Sequence, residues 1–244
     1  MSSNLKIAIM QPTFNPWLGY FDLIDYVDTF IFLDTVQLNQ QSWQTRNKIK
    51  IQDKELMISI PIEKNKNKKE LFIKDALIDF RKFDFRKKLL RTIKQNYKKS
   101  KHYDDVFDFI SELILYETKY LSEYNINIIR NISKKLEINS KILILSNTDY
   151  ISDTKKGDLV LDICKYFGVS KYVSPIGAKE YLDKSLNDFK SFNIEVEYQH
   201  YNHPQYTQIG DTFIPYVGIL DLLMNEGFEN SKKIILGARN YIKA

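Results

Sequence analysis

The chain has 244 residues, of which 43% are apolar, and a net charge of +5. This length is enough to bury a substantial core, and no run approaches the roughly 18 apolar residues of a transmembrane helix, so we expect no membrane insertion. The lone cysteine, Cys164, excludes an intrachain disulfide, and the first residues lack the pattern of a signal peptide, which together predict a cytoplasmic protein.

The first thirty residues predict a strand, a helix and a second strand. "LKIAIMQP" is an apolar run with β-branched residues, as expected of a buried strand. Pro16 can begin a helix, and Trp17, Phe21 and Ile24 recur at helical spacing, which predicts a helix over about 16–27. "TFIFLDTV" is a second buried strand. A βαβ unit of this kind implies parallel strands.

The middle of the chain predicts a hairpin followed by helices. "KIKIQDKELMISIPIEK" has the pattern of two strands around a polar turn, "EKNKNKKE" of a charged loop and "LFIKDALID" of another strand. A long amphipathic helix is predicted from Phe80 to about Lys99, and two more over about 103–115 and 119–136. These form a helical insertion at about 80–137.

The remaining segments alternate between strands and helices. "KILILSN", "KYVSP" and "EVEYQHY" predict three further strands, and "DTKKGDLVLDICKYFGV" a helix with Asp153 or Thr154 as N-cap and Gly168 as C-cap. Two short helices are predicted near 216–225 and 228–235. The fold class is therefore α/β, a Rossmann-like parallel or mixed sheet with a helical insertion, in a single domain over residues 1–244.

The turn after the first strand is crowded with polar and aromatic residues. In open α/β sheets, ligands bind outside the carboxyl ends of the strands, often at a helix N-terminus. Gly19 permits close approach of the backbone. The side chains that could contact a ligand there are Gln11, Asn15, Trp17 and Tyr20. The alternative is a packing corner, in which Phe14 and Trp17 fill the core.

The end of the second strand offers a second set of candidates. Asp34 could orient an ammonium group or act as a base, or it could be an ordinary loop or capping aspartate. The following loop, "VQLNQQSWQTRNK", is dense in amides and includes Gln37, Trp43, Arg46 and Asn47. The Arg46 guanidinium suits a phosphate or carboxylate and Trp43 can stack, so we predict that this loop binds substrate.

Positive charge is concentrated between Arg81 and Lys101. This window holds ten Lys or Arg residues against Asp84 alone, a local charge of +9. Arg91, Lys94, Lys98 and Lys101 recur every three or four residues on one predicted helix face and could contact a diphosphate. A solvated helix face is the alternative. The absence of an interleaved aromatic platform or known motif argues against nucleic acid as the partner.

A further anion site is predicted after the fourth strand, where "SPIGAKEY" places Ser174, Gly177 and Lys179. Backbone N–H groups of such a turn can hold an anion, although a plain strand-to-helix turn has the same pattern.

His203, in "YNHPQYTQ", is the predicted acid–base residue, because the pKa of histidine lies nearest neutrality. A loop histidine with a structural role is the alternative, and His102 and His200 are weaker candidates. The scattered histidines show no metal-ligand spacing, so no metal is predicted. Cys164 lies on the apolar stripe of its helix and is assigned to the core.

The opening turn resembles the HIGH-motif nucleotidyltransferases. Thr13, Phe14, Asn15 and Pro16 match their strand–turn segment, but Trp17 and Tyr20 stand near the positions of the two histidines. Because imidazoles that stabilise phosphate are missing, this resemblance implies at most a Rossmann-like relative or an adenylate-forming enzyme.

Six stretches together resemble the WbqC-like family of bacterial surface-polysaccharide clusters. They are "QPTFNPWLGYFDLI", "FIFLDTVQLNQQSWQTRNKIK", "LMISIPI", "FRKKLLRTIKQNYKKSKHYDDVF", "KYVSPIGAKEYLD" and "YNHPQYTQIGDTFIPYVGILDLLMNEG". The resemblance implies an O-antigen or lipopolysaccharide biosynthesis enzyme that transfers an acyl or aminoacyl group, such as glycine, to the amine of a nucleotide-linked sugar. Its partners would be that sugar and an activated acyl donor, with ATP or a thioester as the possible cofactor.

Three functions therefore stay open from the sequence: this transferase, an adenylate-forming or nucleotidyltransferase-like enzyme that uses the opening turn, and a non-enzymatic nucleic-acid or assembly partner.

Overall fold

Six strands form the central sheet of the computed structural model, which describes residues 5–39, 41–64 and 71–244. In chain order the strands are β1 (Lys6–Met10), β2 (Thr29–Phe32), β3 (Arg46–Ile51), β4 (Lys54–Ser59), β5 (Lys141–Ile144), β6 (Lys171–Pro175), β7 (Glu195–Gln199) and β8 (Tyr241–Lys243). The central sheet has the order β5-β2-β1-β6-β7-β8, while β3 and β4 pair in a separate antiparallel hairpin.

All neighbouring strands of the central sheet are parallel except β7 and β8. From β1 the chain moves outward to β2 and β5, then returns to the other side of β1 for β6 and β7. The strand order therefore reverses between β1 and β6, and in open α/β sheets this reversal opens a crevice at the carboxyl edge. The predicted Rossmann-like α/β fold class is confirmed.

Helices cover both faces of this sheet. In chain order they are α1 (Leu18–Tyr26), α2 (Phe85–Tyr97), α3 (Tyr103–Ile114), α4 (Leu121–Lys135), α5 (Lys156–Tyr166), α6 (Lys179–Leu182), α7 (Leu186–Ser191) and α8 (Ile219–Gly237). The helices α2, α3 and α4 lie between the hairpin and β5, as predicted for the helical insertion. Among the described residues, no helix is long and apolar enough to cross a membrane.

The side chains of β1 alternate between two hydrophobic cores. Ala8 packs with α1, α3, α4 and α8 on one face, whereas Ile7 and Ile9 pack with α5 and α7 on the other. This period of two is the direct result of strand geometry. Because both faces are covered, the edges of the sheet and the loops at strand ends are the places left for a ligand.

Two predicted boundaries in the middle of the chain were wrong. "LFIKDALID" contains a single 3₁₀ turn, Ile73–Asp75, instead of a strand, because its flanking residues make isolated bridges to three different segments and no ladder forms. The long helix begins at Phe85 and not at Phe80, because the Asp84 carboxylate accepts from the Arg86 N–H and caps it there. Residues 65–70 of the predicted charged loop lie outside the described residues.

Further differences lie in the second half. Helix α5 starts at Lys156, because the Thr154 hydroxyl bonds to Asp162 and caps nothing. Gly168, with a φ of 63°, follows the end of this helix as predicted. The two predicted C-terminal helices are confirmed as the two parts of α8, which break at Gly227, where φ is 70°, although the first part begins at Ile219 and not near residue 216. The short helices α6 and α7 and strand β8 were not predicted.

Candidate functional site

A cavity of about 750 Å³ opens at the carboxyl ends of β1, β2 and β5. We call it the lysine cavity. It is lined by Gln11, Thr35, Val36, Gln37, Asn39, Phe72, Lys74, Tyr150, Ile151, Ser152, Asp153, Thr154, Lys155, Lys156 and Leu159. Two predicted site residues, Gln11 and Gln37, thus line one hollow, and it lies on the β1 side of the reversal in strand order.

The lysine cavity carries an excess of positive charge. Lys74, Lys155 and Lys156 line it against Asp153 alone, and among the described ion pairs none involves these lysines. Lys155 is the N-cap of α5 and makes no side-chain cap bond, so the first N–H groups of this helix have no side-chain acceptor there. A helix N-terminus with adjacent lysines favours an anion such as phosphate.

The sequence did not indicate these lysines as site residues. Their signal was available, since "TKKG" follows a buried strand and precedes a helix, but the segment was interpreted only as a helix cap. Lys156, the first residue of α5, adopts a φ of 55°, which turns the chain sharply at the start of the helix.

The opening turn is a packing corner around Asn15. This side chain is buried, and its backbone has a φ of 44°, a conformation that asparagine tolerates. Its Oδ1 accepts from the Leu220 N–H at 3.2 Å, and Pro16 O accepts from the Ile219 N–H at 2.8 Å, so the turn caps α8. A Cβ at Gly218 would lie 2.0 Å from the Asn15 amide, which makes glycine necessary there.

Tyr20 and Gly19 serve the same corner. The Tyr20 hydroxyl donates to Gln11 O at 2.8 Å, and burial raises the pKa of this phenol well above its usual value. A Cβ on Gly19 would lie 2.3 Å from the Trp17 ring, so the close approach that Gly19 permits is that of an indole. Asn15 and Tyr20 are therefore committed to contacts within the chain.

Asp34 joins three segments at the end of β2. Its carboxylate is buried and accepts from the Ser146 N–H at 3.1 Å, from the Ser146 hydroxyl at 2.5 Å and from the Ser122 hydroxyl at 3.4 Å. Ser122 lies on α4 and Ser146 follows β5. These three bonds leave one of the roughly four acceptor positions of the carboxylate unfilled, on Oδ1, where a proton could be accepted.

The amide-rich loop is divided between interior and surface. Asn47 is buried and donates to Phe14 O and Asn15 O at 2.9 and 2.8 Å, which fixes the opening turn. The Trp43 side chain is 52% exposed, and Arg46 Nη1 donates to Gln41 Oε1 at 3.3 Å. Among the described residues, no group accepts a hydrogen bond from the buried Nε atom of Arg46.

A second cavity, of about 730 Å³, lies at the carboxyl ends of β6 and β7. We call it the aromatic cavity. It is lined by Ile176, His200, Tyr201, Asn202, His203, Gln205, Phe213, Pro215 and Tyr216. The Trp17 indole stacks on the His203 ring at a centroid distance of 6.2 Å and an interplanar angle of 11°. Trp17 and His203, predicted for one site, are thus in contact, but on the other side of the reversal from the lysines.

Both ring nitrogens of His203 are engaged. Nε2 accepts from the Tyr216 N–H at 3.0 Å, which requires a deprotonated Nε2, and Nδ1 lies 2.9 Å from Pro204 O and donates to it. Burial lowers the pKa of this imidazole, in agreement with a neutral ring. His203 could accept a proton only by releasing Tyr216.

The remaining predicted residues line neither the lysine cavity nor the aromatic cavity. Ser174 is buried, and its hydroxyl donates to Pro175 O at 3.4 Å. Space around Gly177 is open, while Lys179 pairs with Asp183 at 2.6 Å. Lys94 lines a third hollow of about 610 Å³, the α2 groove, which shares no lining residue with either cavity. The α2 groove is lined by Gln52, Arg91, Lys94, Gln95, Asn96, Lys98, Lys99 and Ile209.

A buried carboxylate that the sequence did not indicate supports the aromatic cavity. Asp221, near the start of α8, accepts from the Tyr97 and Tyr206 hydroxyls at 2.9 Å each and from Gln208 Nε2 at 2.8 Å. Burial raises the pKa of Asp221 despite these bonds. Tyr206 also packs against Phe213, a lining residue, so the Asp221 network holds one wall of this cavity.

The sheet and its two edge cavities define a Rossmann-like α/β protein with an open carboxyl edge. Residues 11–233 match the WbqC-like protein family, and the chain belongs to that family. It is 32% identical over 226 residues to an uncharacterised protein of Mycobacterium tuberculosis, Rv1507c. The aligned region covers 92% of this chain and 95% of that protein. No solved structure matches the chain.

Proposed function

We propose that this protein binds the diphosphate of a nucleotide-linked amino sugar in the lysine cavity and transfers an acyl or aminoacyl group to the sugar amine. The observation that carries this proposal is a set of three lysines that line a hollow at the carboxyl edge against Asp153 alone and that form no ion pair with any described residue. Cations beside a helix N-terminus are suited to a diphosphate. The resemblance to the WbqC-like family supports the amino sugar, the acyl transfer and a role in surface-polysaccharide biosynthesis.

The reaction sets a clear demand on the protein. A protonated amine has no lone pair, so it must lose a proton before it attacks the carbonyl carbon of an activated acyl donor. The new C–N bond then forms, and the donor's leaving group takes the electron pair of the bond that breaks. A thioester and an adenylate both meet this requirement.

Asp34 is the proposed base in preference to His203, because the adjacent Thr35 lines the lysine cavity while His203 lines the aromatic cavity. The Asp34 carboxylate is buried and accepts three hydrogen bonds, which hold it in place beside the lysine cavity. Burial lowers the pKa of His203, and the neutral imidazole keeps its bond to the Tyr216 N–H. The adenylate-forming alternative has less support, because Asn15 and Tyr20 of the opening turn are bonded within the chain.

Calorimetric titration with uridine-, thymidine- and guanosine-diphosphate sugars tests the binding step. Replacing Lys155 and Lys156 together by alanine should weaken binding more than tenfold, since each charged hydrogen bond contributes about 1.5–3 kcal/mol. The matched control is Lys94→Ala with Lys98→Ala, which removes the same charge from the α2 groove and should change affinity less than twofold.

Equal losses in the two double variants would show that net charge and not the lysine cavity governs binding. If none of these sugars binds to the wild-type protein, the proposed function is wrong. Where one binds, mass spectrometry of the sugar after incubation with candidate acyl donors measures the transfer itself.

A further inference from the structure

Of the described residues that line the aromatic cavity, none is formally charged, although 27% of the chain is charged. Its lining combines aromatic rings with the exposed amides of Asn202 and Gln205. Within the part of the chain that the structure describes, neither amide side chain makes a hydrogen bond to the protein. Rings with free amides at the rim suit an uncharged ligand that offers a flat face and hydrogen-bonding edges.

Tyr216 gives the strongest sign that this cavity is built for a ligand. Its φ is 58°, a conformation that is unusual for a bulky residue, and its side chain is 56% exposed. Such strain costs about 1–3 kcal/mol and is found most often at ligand sites. A ring that is 56% exposed gains little stabilisation from packing, so packing does not account for this strain.

His203 holds Tyr216 in this conformation. The Tyr216 N–H donates to His203 Nε2 at 3.0 Å, and the two ring centroids are 4.6 Å apart. The Trp17 indole stacks on the His203 imidazole, and its centroid is 5.5 Å from that of the Tyr216 ring. A chain of rings anchored in the opening turn thus presents one tyrosine at the surface of the hollow.

We propose that the aromatic cavity binds a nucleobase, with the base stacked on Tyr216 and its edge read by Asn202 and Gln205. Base–aromatic stacking contributes about 1–3 kcal/mol, and side-chain amides match the donors and acceptors of a base edge. In combination with the proposed function, on which this assignment of the nucleotide rests, the base belongs to the sugar nucleotide whose diphosphate occupies the lysine cavity.

The sheet geometry is compatible with one ligand across both cavities. Only β1 lies between β2 and β6, so the ends of those two strands are about 10 Å apart at the usual strand spacing. The reversal in strand order lies between them, which is where nucleotides bind in folds of this class.

Titration of uridine and thymidine, followed by ligand-observed NMR, tests the base site without any phosphate. Tyr216→Asn removes the ring and keeps a residue that tolerates the left-handed backbone, so its thermal midpoint should stay at or above that of the wild type. We expect it to weaken nucleoside binding about tenfold, as a stacking contribution of about 1.4 kcal/mol requires. Tyr166→Asn, at a tyrosine of similar exposure on α5, should leave binding unchanged.

Three outcomes would overturn the inference. They are the absence of nucleoside binding to the wild type, equal binding by Tyr216→Asn, and a tenfold loss of methyl glucoside binding in place of nucleoside binding, which would assign the cavity to a sugar ring. Nucleoside binding should also be insensitive to salt, while binding through the lysines should weaken as salt rises.

The inference and the proposed function fail separately. If a sugar nucleotide binds and depends on Lys155 and Lys156 but not on Tyr216, the base site is wrong and the diphosphate site stands. If nucleosides bind through Tyr216 but no sugar nucleotide binds or accepts an acyl group, the base site stands and the transferase is wrong.

Discussion

The lysine cavity and the aromatic cavity lie at one edge of one sheet and have similar volumes, about 750 and 730 Å³, yet their linings are opposite. The first gathers three lysines, one aspartate and several hydroxyls from the loops after β1, β2 and β5 and from the 3₁₀ turn at Ile73–Asp75, which follows β4. The second gathers rings and amides from the segment between β7 and α8. The sheet supplies the same position to both, so the difference comes from the loops.

The two cavities also differ in the hydrogen bonds that fix their walls. The wall of the lysine cavity formed by residues 150–156 relies on hydroxyl bonds to the partly exposed Asp162, such as that of Thr154 at 3.0 Å. The wall of the aromatic cavity is held by the buried Asp221 network. In a fold of this class the loops differ while the sheet is shared, and here the loops put the lysines in one cavity and the aromatic rings in the other.

Asp221→Ala should give the largest effect on this comparison. It leaves the hydroxyls of Tyr97 and Tyr206 and the Gln208 amide without their acceptor, which should lower the free energy of unfolding by about 3 kcal/mol or more. Urea denaturation measures this change, and Asp108→Ala, at an exposed position of α3, should stay within about 0.5 kcal/mol of the wild type.

The same variant also tests the independence of the two cavities. At a temperature where Asp221→Ala is folded, nucleoside binding should be weakened more than diphosphate binding. Equal weakening of both would mean that the Asp221 network supports the whole edge and not one wall.

Asn15→Ala should have the next largest effect, about 2 kcal/mol of unfolding free energy. About 1 kcal/mol comes from loss of the cap on α8, and about 1 kcal/mol from the left-handed backbone of an alanine. Asn15→Gly keeps the backbone relaxed and should lose less. A large loss of sugar-nucleotide affinity in folded Asn15→Gly would instead support the prediction that Asn15 contacts substrate.

His203 should give the smallest effect, visible in the pH dependence of stability. Because the folded pKa is lowered, the unfolded chain binds the proton first, and the free energy of unfolding should fall as the pH drops below about 6.5. Each unit of pKa difference contributes about 1.4 kcal/mol. His203→Gln, which keeps an acceptor for Tyr216, should show a shallower decline in urea titrations from pH 7.5 to 5.

If the free energies of unfolding of the wild type and His203→Gln fall in parallel with pH, the His203 ring is not held neutral by its surroundings. The inference that His203 fixes Tyr216 through the Tyr216 N–H bond is then wrong.

Local patterns were sufficient to predict five of the six strands of the central sheet. The apolar runs and their spacing predicted β1, β2, β5, β6 and β7, because buried strands and amphipathic helices each leave a periodic signature. They could not predict β8, three residues of which only the first is partly buried. Gly227 interrupts the helical pattern of the sequence, which is why two helices could be predicted on either side of the break in α8.

The candidate site was predictable only in part. The strand-end rule indicated the carboxyl edge, where both cavities lie, and Gln11 and Gln37 line the lysine cavity. Asn15 and Asp34, however, are occupied by partners 205 and as many as 112 residues away in sequence. No local pattern encodes such partners, so a polar residue at a strand end can equally be a ligand contact or a tertiary bond.

Strand β8 has a consequence for how copies of the chain meet. It pairs antiparallel with β7, and its first residue, Tyr241, stacks on Tyr26 with ring centroids 3.6 Å apart, while Arg239 binds Asp22 and Asp25. An uncovered β7 would present unpaired N–H and C=O groups to any neighbouring molecule, which is the usual route to strand-by-strand self-association. Because β8 pairs with Glu197, Tyr198 and Gln199, only its own three-residue edge is left on this side of the sheet for a neighbouring strand.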